Sequence, residues 1–365
     1  MQHTSEPIEA VSQRLDTFLA AQRAASAPLG DEAGLFVEAA RAAASGGKRL
    51  RGRFCIAGWR AVEDARRPGT PIPDAVASAA ASLELFHAAA LVHDDIIDNS
   101  DTRRGRPAAH RALEELHRAA AWAGDAASFG RSGAILLGDL LVAWSDDLFE
   151  EGLDELSAPE RARAARREYA TMRREVTIGQ FLDIAEESAF VVEPDDQHAE
   201  RALRVASFKS ARYSIQQPLA IGAALAGADA DQLAALVAFG HPAGMAFQLR
   251  DDVLGVFGDE AETGKPSGDD LREGKRTVLI AFAREALSPT ARRIMDELLG
   301  DPTLDADQIA SLQRTIRETG ALDRLEALIA DYVGQARRAL SGARLDNAAV
   351  SSLRDLAHAA AVRTT

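Results

Sequence analysis

The chain has 365 residues, 47% hydrophobic and 27% charged, a globular composition long enough for one large domain or two small ones. Its 42 basic and 56 acidic residues give a formal net charge of −14, which argues against broad binding to nucleic acids or anionic membranes. The single cysteine excludes a disulfide framework and a cysteine-based zinc site. Alanine is abundant and β-branched runs are scarce, so the composition predicts an all-α protein.

The N-terminal region predicts a helical arm rather than a targeting segment. Residues 1–30 carry apolar side chains at helical spacing and end at Pro28-Leu29-Gly30, which predicts an amphipathic helix followed by a break. The first residues lack the basic start and apolar core of a signal peptide, and no apolar run approaches the ~18 residues of a membrane span. We therefore expect a cytoplasmic protein without a membrane span.

The rest of the chain reads as helices joined by polar loops. Turns or loops are predicted at 46–53, 66–73, 99–110, 258–275, near 124–131 and near 151–159. Helices are predicted near 32–44, 74–98, 160–187, 197–226 and 231–257, the last interrupted at Gly240-His241-Pro242, with three or four shorter ones in 276–365. No composition shift or repeat divides the chain, so we expect one all-helical domain over 31–365, with its motifs in 46–275.

Lysine is rare, and its positions indicate phosphate binding. Only four of the 42 basic residues are lysines, and each lies in a stretch flanked by Gly, Ser or Arg. A mutational bias towards arginine explains the scarcity but not these positions. A lysine ammonium is a compact charge with three donors that suits phosphate oxygens. The candidates are Lys48, Lys209, Lys265 and Lys275.

The first aspartate motif, Asp94-Asp95-Ile96-Ile97-Asp98, ends the predicted helix over 74–98. Asp94 and Asp98 are four residues apart, so their carboxylates lie on one helix face with Cβ atoms about 5–6 Å apart, where like charges call for a cation. Oxygen ligands with open positions suit Mg²⁺, which shares its coordination shell with water and phosphate. The alternative is a solvated acidic helix end, paired with Arg103, Arg104 or Arg106.

A second aspartate pair, Asp251-Asp252, also follows an apolar helical stretch. Two helices that end in aspartates can face each other across a bundle and leave a cavity between them. Opposed carboxylates and suitably placed lysines describe a site for a diphosphate held through Mg²⁺. The sequence therefore predicts an all-α bundle around a central cavity.

Five motifs follow one another along the chain: Gly46-Gly47-Lys48-Arg49-Leu50-Arg51, Asp94 to Asp98 with Arg103-Arg104-Gly105, Gly179-Gln180-x-x-Asp183, Lys209-Ser210, and Phe247-Gln248-x-x-Asp251-Asp252. With them the chain, from about residue 35 to 285, resembles the trans-isoprenyl diphosphate synthases of the polyprenyl synthetase family, most of all bacterial geranylgeranyl diphosphate synthases. The resemblance implies the isoprenoid synthase type I fold and a homodimer. It also implies Mg²⁺-dependent condensation of isopentenyl diphosphate with an allylic diphosphate, namely dimethylallyl, geranyl or farnesyl diphosphate.

The resemblance assigns roles to individual residues. Two to three Mg²⁺ ions would be held by Asp94, Asp98 and Asp251, supported by Asp95 and Asp252. The allylic diphosphate would be held by Arg103, Lys209, Gln248 and Lys265, and isopentenyl diphosphate, without metal, by Lys48, Arg51, His87 and Arg104. Ser210, Gln180 and Asp183 would line the reacting pocket.

The chain departs from the family pattern at three positions. Gly255 stands where the second motif has its third aspartate, which puts the second metal site in doubt. Ser210 stands where threonine is common and keeps the hydroxyl. Pro242 precedes the second motif, where a proline bends a helix.

Product length is predicted from helix geometry. A helical turn of about 5.4 Å is close to the extent of one isoprene unit. Ala89 and Ala90, one turn before Asp94, leave room beyond a C15 product, and Phe86, a further turn away, is the predicted floor. This predicts mainly the C20 product, with C15 or C25 and longer products as alternatives.

Two other classes of protein fit part of the pattern. A class I terpene cyclase would share the fold and the Mg²⁺, but the chain lacks an Asn-Asp-x-x-Ser-x-x-x-Glu motif, and a cyclase has no use for the basic site around Lys48 and Arg51. A non-catalytic partner subunit of a heteromeric synthase usually lacks one metal motif, whereas both aspartate pairs are present here. Activity of the purified chain alone separates these possibilities.

Overall fold

A computed structural model of the chain describes residues 2–259 and 267–361, and its regular structure is almost entirely helical, so the all-α prediction is confirmed. Within these residues the strands are limited to β1 (Thr102–Arg103) and β2 (Arg106–Pro107), which pair antiparallel. The chain divides into two compact units, one formed by 1–59 with 67–163 and the other by 60–66 with 164–365. The single domain over 31–365 stays a prediction.

The helices of the first unit largely follow the predicted order. They are α1 (Gln2–Ser26), α2 (Asp31–Ala43), the start of α3 (Leu50–Glu63), α4 (Asp74–Ile97), α5 (Ala109–Ala119) and α6 (Ala126–Asp154). The predicted basic turn over 46–53 is shorter than expected, because α3 already begins at Leu50. The predicted loops near 124–131 and 151–159 are also shorter than expected, because α6 occupies Ala126–Asp154. Asp125 caps the start of α6 by accepting the backbone N–H of Ser128.

The helices of the second unit are more numerous than predicted. They are α7 (Pro159–Ala189, which begins in the first unit), α8 (His198–Val205), α9 (Gln217–Leu225), α10 (Ala230–Phe257), α11 (Asp269–Glu273), α12 (Val278–Ala286), α13 (Pro289–Leu298), α14 (Ala306–Glu318), α15 (Ala321–Ala339) and α16 (Asn347–Ala361). A π-helix, Ala206–Gln216, joins α8 to α9, so the predicted helix over 197–226 is three segments. Five helices, not three or four, occupy the described part of 276–365.

Small residues let α4 form the centre of the first unit. Its alanines are mostly buried, and it packs against α6. A β-carbon at Gly152 of α6 would lie 2.8 Å from the carbonyl oxygen of Ala75, well inside van der Waals contact. At the other end of α4, a β-carbon at Gly138 of α6 would overlap the imidazole of His93, so the close packing of the two helices extends to the residue before the first aspartate motif.

Two helices pass a length-and-composition test for a membrane span, although the sequence pattern predicted none. The apolar window of α4 is 83% buried within the protein, as in a core helix, whereas that of α6 is 28% buried. Core helices pass this test as readily as membrane spans, so the finding is weak evidence for a membrane. The exposed apolar side chains of α6 are Phe129, Ile135 and Leu136.

The second unit is organised around contacts between α10 and the π-helix. A β-carbon at Gly244 would overlap the carbonyl of Ala211, and one at Gly240 would lie 2.6 Å from Cα of Gln216. The predicted interruption at 240–242 is wrong, because α10 runs continuously through Pro242. Pro242 is buried, and the packing of Gly240 and Gly244 on the π-helix holds the backbone helical on either side of it.

Candidate functional site

The end of α4 presents the first aspartate motif beside an arginine. Asp94 and Asp98 lie one helical turn apart, and the backbone N–H of Asp98 donates to the carbonyl of Asp94 over 2.8 Å. Nε of Arg103 donates to Oδ1 of Asp95 over 2.8 Å, and its Nη2 lies 3.6 Å from Oδ2 of Asp94. Burial raises the pKa of Asp95, while the hydrogen bond from Arg103 opposes this shift. Part of the acidic charge is therefore already balanced by protein.

The β1–β2 hairpin places two neighbouring arginines, Arg103 and Arg104, against different parts of the first unit. Arg104 and Gly105 form its turn with φ values of 53° and 70°. Arg103 contacts the aspartates, whereas the guanidinium of Arg104 lies over the turn at 45–47, 3.0 Å from the position of a β-carbon at Gly47. Gly47 has a φ of 86°, so both its backbone and this close approach require glycine. The hairpin thus connects the aspartate motif with the turn that carries Lys48.

A cluster of cationic groups surrounds His87 in the first unit. Burial lowers the pKa of His87 well below 6.5, and the guanidinium groups of Arg51, Arg104, Arg103 and Arg49 lower it further. The imidazole is therefore neutral at physiological pH. The exposed Lys48 lies on the adjacent turn. The four residues predicted to bind isopentenyl diphosphate thus lie in this one unit. Arg49, which had no predicted role, belongs to the same cluster as Arg51, His87 and Arg104.

Sequence analysis missed Glu84, a buried carboxylate of α4. Glu84 is only 6% exposed, and its Oε1 accepts a hydrogen bond from the backbone N–H of Gly52 over 2.9 Å. Burial lowers the pKa of Arg104, and the charge of Glu84 opposes that shift. Glu84 therefore anchors the first turn of α3 and offsets part of the cationic charge. A signal was present, since Glu84 is the only acidic residue between 75 and 93.

In the second unit, the π-helix carries Lys209 to the carboxylate of Asp183 on α7. The ammonium group of Lys209 donates to Oδ2 of Asp183. A β-carbon at Gly179 would lie 2.6 Å from the carbonyl carbon of Phe208, so α7 contacts the π-helix backbone at a glycine. Gln180 follows Gly179 in the chain and Ser210 follows Lys209, so both lie next to residues of this contact in sequence. Their place in one pocket stays a prediction.

The second aspartate motif lies near the end of α10. Asp251 is exposed, whereas Asp252 is 7% exposed and accepts a hydrogen bond from Nε2 of Gln248 over 2.8 Å. Burial raises the pKa of Asp252 to about 8, and the charges of Asp270 and Asp251 raise it as well. Asp252 is therefore largely protonated at neutral pH in this state. The supporting role predicted for Asp252 in metal binding stays a prediction.

Position 255 is filled by a neighbour. A β-carbon at Gly255 would overlap the carboxylate of Asp270 on α11. Lys275 lies beside the same group, with Nζ 3.8 Å from Oδ1 of Asp270 and 2.6 Å from Oε2 of Glu273. Sequence analysis gave Asp270 no role and gave Lys275 none beyond phosphate binding. Lys265 lies outside the described residues.

The donor set fits Mg²⁺ of the kind that shares its ligands with a substrate. The candidate ligands are carboxylates, and two of them lie one helical turn apart, Asp94 in the last turn of α4 and Asp98 at its C-cap. Among the described residues, no group of three or more His, Cys, Asp or Glu side chains is arranged to hold an ion by itself. Mg²⁺ keeps several waters and binds through one or two carboxylates plus substrate phosphates, so such a ready-made cage is not required.

The residues predicted to limit chain length all lie on α4 before Asp94. Phe86 is 7% exposed and Ala89 is 1% exposed, while Ala90 is partly buried. Phe86, Ala90 and Asp94 follow one another at intervals of four residues, so they share one side of the helix. The predicted facing of the two aspartate helices across a cavity involves both units and stays a prediction.

Comparisons with known proteins agree with the motifs. The polyprenyl synthetase family model matches residues 34–316. The geranylfarnesyl diphosphate synthase of Aeropyrum pernix is 32% identical over 297 residues, which cover 81% of this chain and 84% of that protein. The geranylgeranyl diphosphate synthase of Mycobacterium tuberculosis is 32% identical over 297 residues, covering 79% of this chain and 75% of that one.

A solved structure resembles the whole fold. It is the geranylgeranyl pyrophosphate synthase of Corynebacterium glutamicum, complexed with isoprenyl diphosphate and magnesium. The two chains are 40% identical and superpose with a TM-score of 0.91 over 99% of each. The fold is therefore that of these synthases.

The low pKa of His87 predicts a pH-dependent stability. In the unfolded chain His87 binds a proton near pH 6.5, whereas in the folded protein it stays neutral at that pH. The free energy of unfolding therefore falls as the pH drops below that value. The loss approaches about 1.4 kcal/mol per pH unit for one proton. Between pH 7 and 5, calorimetry should therefore show a larger fall in melting temperature for the wild type than for His87→Gln.

The matched control is His358→Gln, which changes an exposed histidine of α16. It should keep the pH dependence of the wild type. Equal pH dependence in the wild type and His87→Gln would show that His87 is not held neutral by its surroundings.

Proposed function

The chain belongs to the polyprenyl synthetase family, and on that premise we propose that it is a Mg²⁺-dependent trans-prenyltransferase making mainly geranylgeranyl diphosphate, the C20 product. It condenses isopentenyl diphosphate with dimethylallyl, geranyl or farnesyl diphosphate, and it acts in the cytoplasm. One observation carries the proposal: Asp94 and Asp98 share one face at the end of a buried helix, with Arg103 3.6 Å from Asp94 and the His87 cluster in the same unit. Acidic and basic groups suited to metal and diphosphate thus occur together.

The proposed reaction begins with the allylic diphosphate. Its C–O bond breaks, and the electron pair leaves with the diphosphate. Mg²⁺, when bound by Asp94, Asp98 and Asp251, supplies charge neutralisation to that leaving group. Arg103, Lys209, Gln248 and Lys265 add donors to its oxygens, and such preorganised donors are usually the largest catalytic contribution.

The second substrate is held by cations alone. Lys48, Arg51, Arg104 and the neutral His87 bind the diphosphate of isopentenyl diphosphate, so that its double bond faces the allylic cation. Attack forms the new C–C bond, and loss of a proton to the departing diphosphate restores a double bond. The side chains of Gln180, Asp183 and Ser210 line this pocket, and no nucleophilic side chain is needed.

A homodimer is the second part of the proposal. The exposed side chains of Phe129, Ile135 and Leu136 lie on α6, and that of Leu136 is 60% exposed. A second copy of the chain would cover these apolar side chains, because burial of exposed apolar surface favours association.

A product assay tests the proposed activity. The purified chain is incubated with Mg²⁺, isopentenyl diphosphate and each of the three allylic starters, and the dephosphorylated alcohols are sized. We expect a dominant C20 alcohol, and we expect Asp94→Asn to lower the rate by a factor of about 100 or more. Cyclic hydrocarbons would indicate a terpene cyclase, and a lack of condensation with every starter would indicate a partner subunit.

The Phe86→Ala variant tests the proposed floor. Removing the ring opens space about two turns below Asp94, so products should lengthen to C25 or beyond. Ile56→Ala, which removes a large buried side chain of α3, controls for a general loss of packing and should leave the product at C20. An unchanged C20 product from Phe86→Ala would exclude Phe86 as the floor.

The Leu136→Asp variant tests the dimer. A charge on the exposed face of α6 should shift the wild-type dimer towards monomer in sedimentation equilibrium. Leu29→Asp is the control, because Leu29 is 75% exposed but does not belong to α6. This variant should stay dimeric. A monomeric wild type would contradict the homodimer, and a dimeric Leu136→Asp would contradict this interface.

A further inference from the structure

The second aspartate motif lacks the carboxylate that its helix geometry would place beside Asp251. Position 255 is four residues after Asp251, so a side chain there would lie on the same face of α10. Glycine stands at this position. The second aspartate motif by itself therefore presents only one exposed carboxylate, that of Asp251, on this turn of α10.

The reason for glycine at 255 is space and not backbone conformation. Gly255 lies within α10, and it is not among the glycines with positive φ. A β-carbon at this position would overlap Oδ2 of Asp270 and lie 2.8 Å from its Oδ1. A carboxylate thus already occupies the place beside Asp251, supplied by a residue 15 positions further along the chain.

Packing holds Asp270 in this place. It lies on the short helix α11, whose ends are fixed by Gly268 and Gly274 in the left-handed conformation, with φ values of 74° and 76°. Leu271 is fully buried and anchors the helix. The backbone N–H of Lys275 donates to the carbonyl of Asp270 over 3.0 Å. The side chain of Asp270 is 15% exposed, which leaves it accessible to a ligand.

We propose that Asp270 supplies the carboxylate that the second aspartate motif lacks at position 255, and that it faces the metal together with Asp251. The ammonium group of Lys275, 3.8 Å from Oδ1 of Asp270, balances this charge when no metal is bound. The inference rests on the proposed function, because it concerns the Mg²⁺ that binds with the diphosphate.

The test measures Mg²⁺-dependent binding of inorganic diphosphate by titration calorimetry, without turnover. Asp270→Asn keeps the shape of the side chain and removes its charge, and we expect it to raise the Mg²⁺ concentration for half-maximal binding by about tenfold or more. Asp269→Asn changes the neighbouring aspartate of α11 and should stay within about twofold of the wild type. Equal effects of the two variants, or no effect of Asp270→Asn, would overturn the proposal.

A relocated carboxylate gives an independent measurement. Asp270→Gly vacates the space beside α10, and Gly255→Asp in the same chain returns a carboxylate to it. The double variant should require about tenfold less Mg²⁺ than Asp270→Gly alone, and a double variant no better than the single one would contradict the proposal. A wild type that binds no diphosphate at any Mg²⁺ concentration would refute the proposed function itself, whereas Mg²⁺-dependent binding that ignores Asp270 refutes only this inference.

Discussion

Charge compensation is the constraint on which the candidate site depends. Cations suited to diphosphate oxygens would repel one another, and carboxylates suited to Mg²⁺ would do the same, unless each is balanced within the ligand-free protein. Arg103 lies against Asp94 and Asp95, and Lys209 against Asp183. Lys275 lies beside Asp270, and the charge of Glu84 acts on Arg104. The two kinds of site therefore stabilise each other before a substrate arrives.

These charges hold their places because small residues allow backbones to approach. Gly179 and Gly244 leave room for the π-helix that carries Lys209, and the alanines of α4 let it pack on α6. Gly47 makes room for the guanidinium of Arg104. A β-carbon at Gly179 would overlap the backbone of Lys209, and one at Gly47 would lie against the guanidinium of Arg104, so a larger side chain at either position would move a charged residue. The positions of the charged groups in the site thus depend directly on the close packing of the backbones around them.

Local sequence pattern was sufficient where a function depends on spacing within one helix. The four-residue interval between Asp94 and Asp98 and the apolar run before it predicted both the helix and the paired carboxylates. Pattern failed where a distant contact decides the outcome. Pro242 normally ends a helix, but contacts of Gly240 and Gly244 with the π-helix keep α10 continuous. Spacing along α10 likewise gave no indication that the carboxylate of Asp270 lies against Gly255.

The buried acid Glu84 shows a different limit. Its isolation in an apolar run is visible in the sequence, but its role follows from the backbone N–H of Gly52, 32 residues earlier. The spacing of apolar residues along the sequence cannot predict a hydrogen bond between residues so far apart. The family resemblance did not supply it either, since Glu84 lies in none of the five motifs.

The pairing of Lys209 with Asp183 also bears on selectivity. In the proposed reaction, an incoming anion would compete with the carboxylate of Asp183 for the donors and the charge of the ammonium group. Weakly charged anions such as chloride or a single carboxylate gain little from that exchange, whereas a diphosphate brings several oxygens and a higher charge density. In the proposed reaction, a resident carboxylate of this kind would favour a diphosphate over the common small anions of the cell, and it would do so without any steric gate.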